Sequence, residues 1–146
     1  MISCRVQKLD IAIEFIDDAI RLYDGKRYFS ALHLAGAAEE IFAAYIVESG
    51  LEPIKTKDAK AAKKLGKALY KADVSLKELE KIADTSKNAI KHATHKKSFD
   101  PEARVRPSVD AYRMIRRALK NADLIKAPVS PLIYGFMARS APLENA

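Results

Sequence analysis

The stretch "SKNAIKHATH" at 86–95 gathers the residues best suited to chemistry, namely Lys87, Asn88, His92 and His95. On a helix, Asn88 and His92 are four apart and side by side, and His95 extends that line by a turn. Lys91 borders the strip, and Lys96 and Lys97 lie just beyond it. An imidazole works as base or acid near neutral pH. Cations beside it can hold a phosphodiester. Lys87, five before His92, points away from this line unless its long side chain curls back.

Other chemistries lack their residues. His92 and His95 are three apart, which suits two ligands of one ion. A carboxylate-bridged di-iron bundle needs Glu-x-x-His in two helices, and no Glu here has a His three residues on. HExxH, a glycine-rich phosphate loop, a dinucleotide fingerprint and a nucleophile elbow are all missing. The expectation is no metal and no cofactor. Cys4 is the single cysteine, so no intramolecular disulfide forms, as in a reducing cytoplasm.

The elements that must position these residues read as helices. Val6, Leu9, Ile13, Ile16, Ile20 and Tyr23 recur at spacings of three and four, an apolar helical stripe. "YDGKRY" breaks it, with Gly25 expected in the left-handed conformation that closes a helix. A second helix from Tyr28 to Ser49 completes a long hairpin, and its Ala35, Gly36, Ala37 and Ala38 permit close approach by a neighbour. His33 and Glu40 share a face there and are expected to form a hydrogen-bonded structural pair. At least one of Glu39 and Glu40 points inward, where a carboxylate needs a partner.

Gly50 and Pro53 end that helix. "KDAKAAKKLGKALYKAD" is expected to be a short, weakly anchored helix with a lysine ridge and a thin apolar face of Ala61, Leu65, Ala68, Leu69 and Ala72. Ser75 and Glu78 have capping-box spacing. The helix they start is expected to run through Ile82 and Ile90 to Ala93, carrying the polar strip near its end. A loop closed by Pro107 leads to the last long helix, Ser108 to Ile125, with Ala111, Met114, Ile115, Ala118, Leu119, Ala122 and Ile125 inward. Arg113, Arg116, Arg117 and Lys120 are expected outside. The fold class is all-α, an up-and-down bundle of four principal helices with a long N-terminal hairpin and extra short helices. Residues 1–126 form the bundle. Residues 127–146 form a tail with one apolar turn, docked on the bundle or on a second subunit.

Charge is unevenly placed. Residues 1–54 carry 5 Lys/Arg and 9 Asp/Glu, whereas residues 55–146 carry 21 and 10. A basic half attracts phosphates. The longest apolar run, Ile41 to Val47, is too short to span a bilayer, and the N-terminus has no apolar core of signal length. The expectation is a cytoplasmic protein without membrane contact.

The hairpin "AIEFIDDAIRLYDGKRYFSALHLAGAAEEIFAAYI", followed later by "KNAIKH", resembles the HEPN superfamily of small helical-bundle proteins over roughly residues 6–125. The hairpin features that match are Tyr23, Gly25, Tyr28, Ala31 and a buried acidic residue, Glu39 or Glu40. The family's signature is an Arg, four to six residues, then a His, often with a polar residue after the Arg. Lys87, Asn88 and His92 stand in those places. The resemblance implies a homodimer and, in catalytic members, metal-independent RNA cleavage by attack of a ribose 2′-hydroxyl on the adjacent phosphate. His92 would then be base or acid, Asn88 would orient the phosphate or imidazole, and Lys87 would offset developing charge. Lys91, His95, Lys96, Lys97 and Glu40 would line the substrate. Lysine lacks arginine's planar fork, so it cannot grip a phosphate in bidentate fashion. Three readings stay open: a protein cleaving or binding RNA, a non-catalytic interaction module with a cognate protein partner (a toxin–antitoxin or defence accessory), and a protein binding a nucleotide or small metabolite between its helices.

Overall fold

The computed structural model describes residues 3–143. Helix α1 (Lys8–Asp24) and helix α2 (Tyr28–Glu48) form the expected hairpin. The turn between them places the left-handed residue one position later than expected. Gly25 has an ordinary φ of −77°, and Lys26 takes φ 59°. The amide of Arg27 donates to Leu22 O at 2.8 Å and that of Lys26 to Tyr23 O at 2.9 Å, the Schellman arrangement with Lys26 in the left-handed position. Gly50, at φ 75°, closes α2 in the same manner.

Helix α3 (Ile54–Tyr70) follows, then α4 (Leu76–Ala83), α5 (Thr85–Ala89), a two-stranded antiparallel ribbon β1 (Thr94–His95) and β2 (Ser98–Phe99), helix α6 (Pro107–Leu124) and helix α7 (Pro131–Met137). The all-α character read from the sequence is present. The core lies between α1, α2 and α6, where Ile16, Ile20, Leu32, Phe42 and Ile115 are fully buried. Each such side chain contributes about 1.5–3 kcal/mol through removal from water.

Helix α2 is long and apolar enough to cross a membrane by length and composition, with a mean hydropathy of 1.2. Its position accounts for that apolarity. It packs against α1 on one side and α6 on the other, so it needs apolar residues on two faces. Helix α7 docks on the bundle through Ile133 and Phe136, and Arg116 Nη1 donates to Met137 O at 2.7 Å.

Helix α3 is weakly anchored, as expected, and Ala59 is its one buried residue. Leu65 and Leu69 stay exposed rather than forming a packed face. Its N-terminal turn is fastened instead by polar contacts, from Ile54 N to Asn121 Oδ1 at 3.0 Å and from Thr56 Oγ1 to Glu80 Oε1 at 2.8 Å. The capping box of Ser75 and Glu78 is formed.

The single helix expected from Ser75 to Ala93 is two short ones. Asp84 interrupts it, and α5 stops at Ala89. Beyond Ile90 the chain offers no apolar stripe to bury, and a short helix without one is marginal in water. Ala93 is accordingly exposed. The next residues turn back as a hairpin, with Thr94 opposite Phe99 and His95 opposite Ser98. Lys96 and Lys97 form its two-residue tip, both with positive φ (49° and 67°). That is the primed turn geometry matching strand twist, usually supplied by Asn-Gly.

Candidate functional site

Lys87 is buried, with its side chain 3% exposed, and it points into the bundle. Gly36 makes the space. A Cβ at Gly36 would lie 3.2 Å from Lys87 Cδ, so the aliphatic stem crosses α2 where a side chain is missing. The ammonium reaches three carboxylates, Glu40 Oε1 at 2.8 Å, Glu39 Oε2 at 3.4 Å and Asp84 Oδ1 at 3.4 Å. Burial by itself would lower the Lys87 pKa. The hydrogen bond to Glu40 and the charges of Glu39, Asp84 and Glu40 outweigh burial and hold it above the ordinary value.

Other cations complete the cluster. Arg117 Nε lies 3.3 Å from Glu39 Oε1, and Arg117 Nη2 lies 2.6 Å from Asp84 Oδ1. Lys55 Nζ donates to Asp84 Oδ2 at 2.8 Å. Asn121 Nδ2 donates to Glu39 Oε1 and to the Glu39 carbonyl, each at 3.5 Å. Burial would raise the carboxyl of Asp84, but Lys55, Lys87 and Arg117 hold it below its usual value. Glu40 behaves alike. Burial would raise it, and Lys87 with Lys91 brings it down. The cluster joins α2, α3, α5 and α6 at one point, with three carboxylates facing four cations, Lys55, Lys87, Lys91 and Arg117. Every charge in it has a partner, as a buried charge requires.

The expected strip is therefore not a surface of one helix. Asn88 is exposed on α5, His92 is exposed in the connection after it, and His95 is exposed on β1. Among the described residues, neither imidazole has a hydrogen bond or ion pair. Lys87 faces the opposite way, into the carboxylates. Lys96 and Lys97 stand at the hairpin tip, and Lys91 lies 3.9 Å from Glu40. Glu40 pairs with Lys87 and Lys91 rather than with His33, which is exposed. Of the two adjacent glutamates, Glu39 is the buried one, at 1%. The substrate lining expected at Glu40 is thus a structural partner of Lys87.

Sequence reasoning does not single out Arg117, Asp84, Asn121 or Lys55 as functional. It places Arg117 outside with its neighbours, yet that side chain is 11% exposed and turned toward Glu39. A signal does exist for Asn121, a polar residue among the inward-facing Ala118, Leu119 and Ala122. Among the described residues, no group of three or more His, Cys, Asp or Glu is placed to hold a metal ion.

No family model, curated protein or solved structure matches this chain.

Proposed function

We propose that this chain is a HEPN-like helical protein that binds RNA and does not cleave it. The observation carrying this reading is the commitment of Lys87, which is buried and paired with Glu39, Glu40 and Asp84. Phosphodiester cleavage needs a charge that meets the developing oxyanion. A lysine already neutralised inside the bundle does not meet it. His92 and His95 remain exposed beside Lys91, Lys96 and Lys97, a basic rim able to contact phosphates. Net charge supports the same partner, because the excess of cations lies in residues 55–146. Assembly as a homodimer belongs to this reading.

Fluorescence anisotropy with a labelled RNA tests it. Binding should weaken steeply with added salt, as counterion release requires. RNA that stays free at low salt would favour the second reading, a module for a cognate protein partner. A specific feature supports that alternative, the exposed apolar residues Leu65, Leu69 and Tyr70 on α3.

A further inference from the structure

A cleft of about 970 Å³ opens between α6, the end of α4, the start of α3 and the segment 103–106 that follows the hairpin. None of the residues proposed above for the rim lines it. Its charge is positive. Arg106 pairs with Asp110 across the lip, at 3.6 Å. Arg116 and Arg117 are held by the Met137 carbonyl and by Glu39 and Asp84. Arg104, Arg113 and Lys120 are exposed and have no hydrogen-bond or ion-pair partner among the described residues. Arg113 and Lys120 are two turns apart on one side of α6, roughly 10 Å along its axis.

Apolar side chains share the lining with these cations. Ile82, Val105 and Ile54 are among them, and Ile82 is 65% exposed, although it belongs to the apolar stripe of α4. Cations beside exposed apolar side chains suit a ligand with separate anionic and flat apolar parts. A single-stranded nucleic acid is such a ligand, with phosphates outward and bases splayed. A duplex keeps its bases stacked inside and offers these apolar side chains nothing. An acidic peptide such as polyglutamate carries the charge but lacks the flat apolar part.

We infer that this cleft is the seat of single-stranded RNA, with Arg104, Arg113 and Lys120 on phosphates and Ile82 under a base. This rests on the RNA reading above and assigns the main contact to α6 rather than to the histidine-bearing rim. The test is anisotropy with a labelled ten-nucleotide single strand, using its duplex and polyglutamate as competitors. Three proteins are compared: the wild type, Arg113→Glu with Lys120→Glu, and Lys96→Glu with Lys97→Glu. All four positions are exposed, and circular dichroism checks that the folds are retained.

The cleft pair should lose about tenfold or more in affinity, and its salt slope should fall by about 0.7 for each phosphate no longer neutralised. The hairpin pair should lose less, and the duplex and polyglutamate should compete poorly. If the wild type binds but the cleft pair binds equally well, the cleft assignment fails and the RNA reading stands. Effective competition by duplex or by polyglutamate overturns the choice of a single strand. A wild type that binds no RNA overturns both.

Discussion

The stem of Lys87 lies across Gly36, so close that a Cβ there would sit 3.2 Å from Lys87 Cδ. A missing side chain on α2 thus admits a lysine from α5 to Glu39, and its ammonium is buried among carboxylates. Removing one partner from such a buried cluster leaves charges uncompensated, which costs about 3–5 kcal/mol. Lys87→Met should destabilise by that amount in chemical denaturation. His92→Ala, at an exposed residue without a partner among those described, should stay within about 0.5 kcal/mol of the wild type. Equal effects from the two would contradict the burial of Lys87.

The contact between Gly36 and Lys87 predicts a coupling. Gly36→Val places a branched side chain where the lysine stem lies, and overpacking of this kind costs about 1–3 kcal/mol. In a Lys87→Ala background the stem is gone, so the same substitution should cost clearly less. A double-mutant cycle measures this difference. Additive effects would show that the two residues do not touch.

Charge pairing also sets a pH dependence. Asp84 and Glu40 have folded values below their ordinary 3.8 and 4.5, so their stabilisation is present above those values and lost as pH falls through the lowered ones. Lys87 lies above its ordinary 10.5, so its contribution is present below that value and lost as pH rises through the raised one. Stability should therefore fall on the acid side as pH drops through 4.5, where Glu40 is half protonated in the unfolded chain. Lys87→Met removes the charge that holds Glu40 down. Its acid limb, followed by thermal unfolding from about pH 5 to pH 3, should be shallower than that of the wild type. An unchanged limb would place the acid response elsewhere.

Much of the fold is legible because apolar periodicity is local. Ile16 and Ile20 of the α1 stripe are buried, as are Ala111, Met114, Ile115, Ala118, Leu119 and Ala122 of α6, whereas Val6 precedes the helix and is exposed. The capping box and Pro107 mark true helix starts. The candidate site is less legible. Lys87 reads as a surface charge because its burial depends on Gly36 and Glu39, about fifty residues earlier in the chain, and no spacing rule links them. The hairpin escapes a sequence reading because lysines, not Asn-Gly, occupy its left-handed turn. The helix break at Asp84 is tertiary in origin too, since Lys55, Lys87 and Arg117 converge there from α3, α5 and α6.

Assembly gives a separate check. The chain mass is 16.2 kDa, and light scattering at micromolar concentration should return about twice that for a homodimer. A monomer under these conditions would contradict the dimeric part of the proposal.

If Lys87 serves the fold alone, RNA bound to the protein stays uncut. A denaturing gel tests it directly, with single-stranded RNA incubated with purified wild-type protein in EDTA at concentrations where anisotropy shows the RNA bound. The prediction is intact RNA with the wild type and with Lys87→Arg. Cleavage by the wild type that His92→Ala abolishes would contradict it.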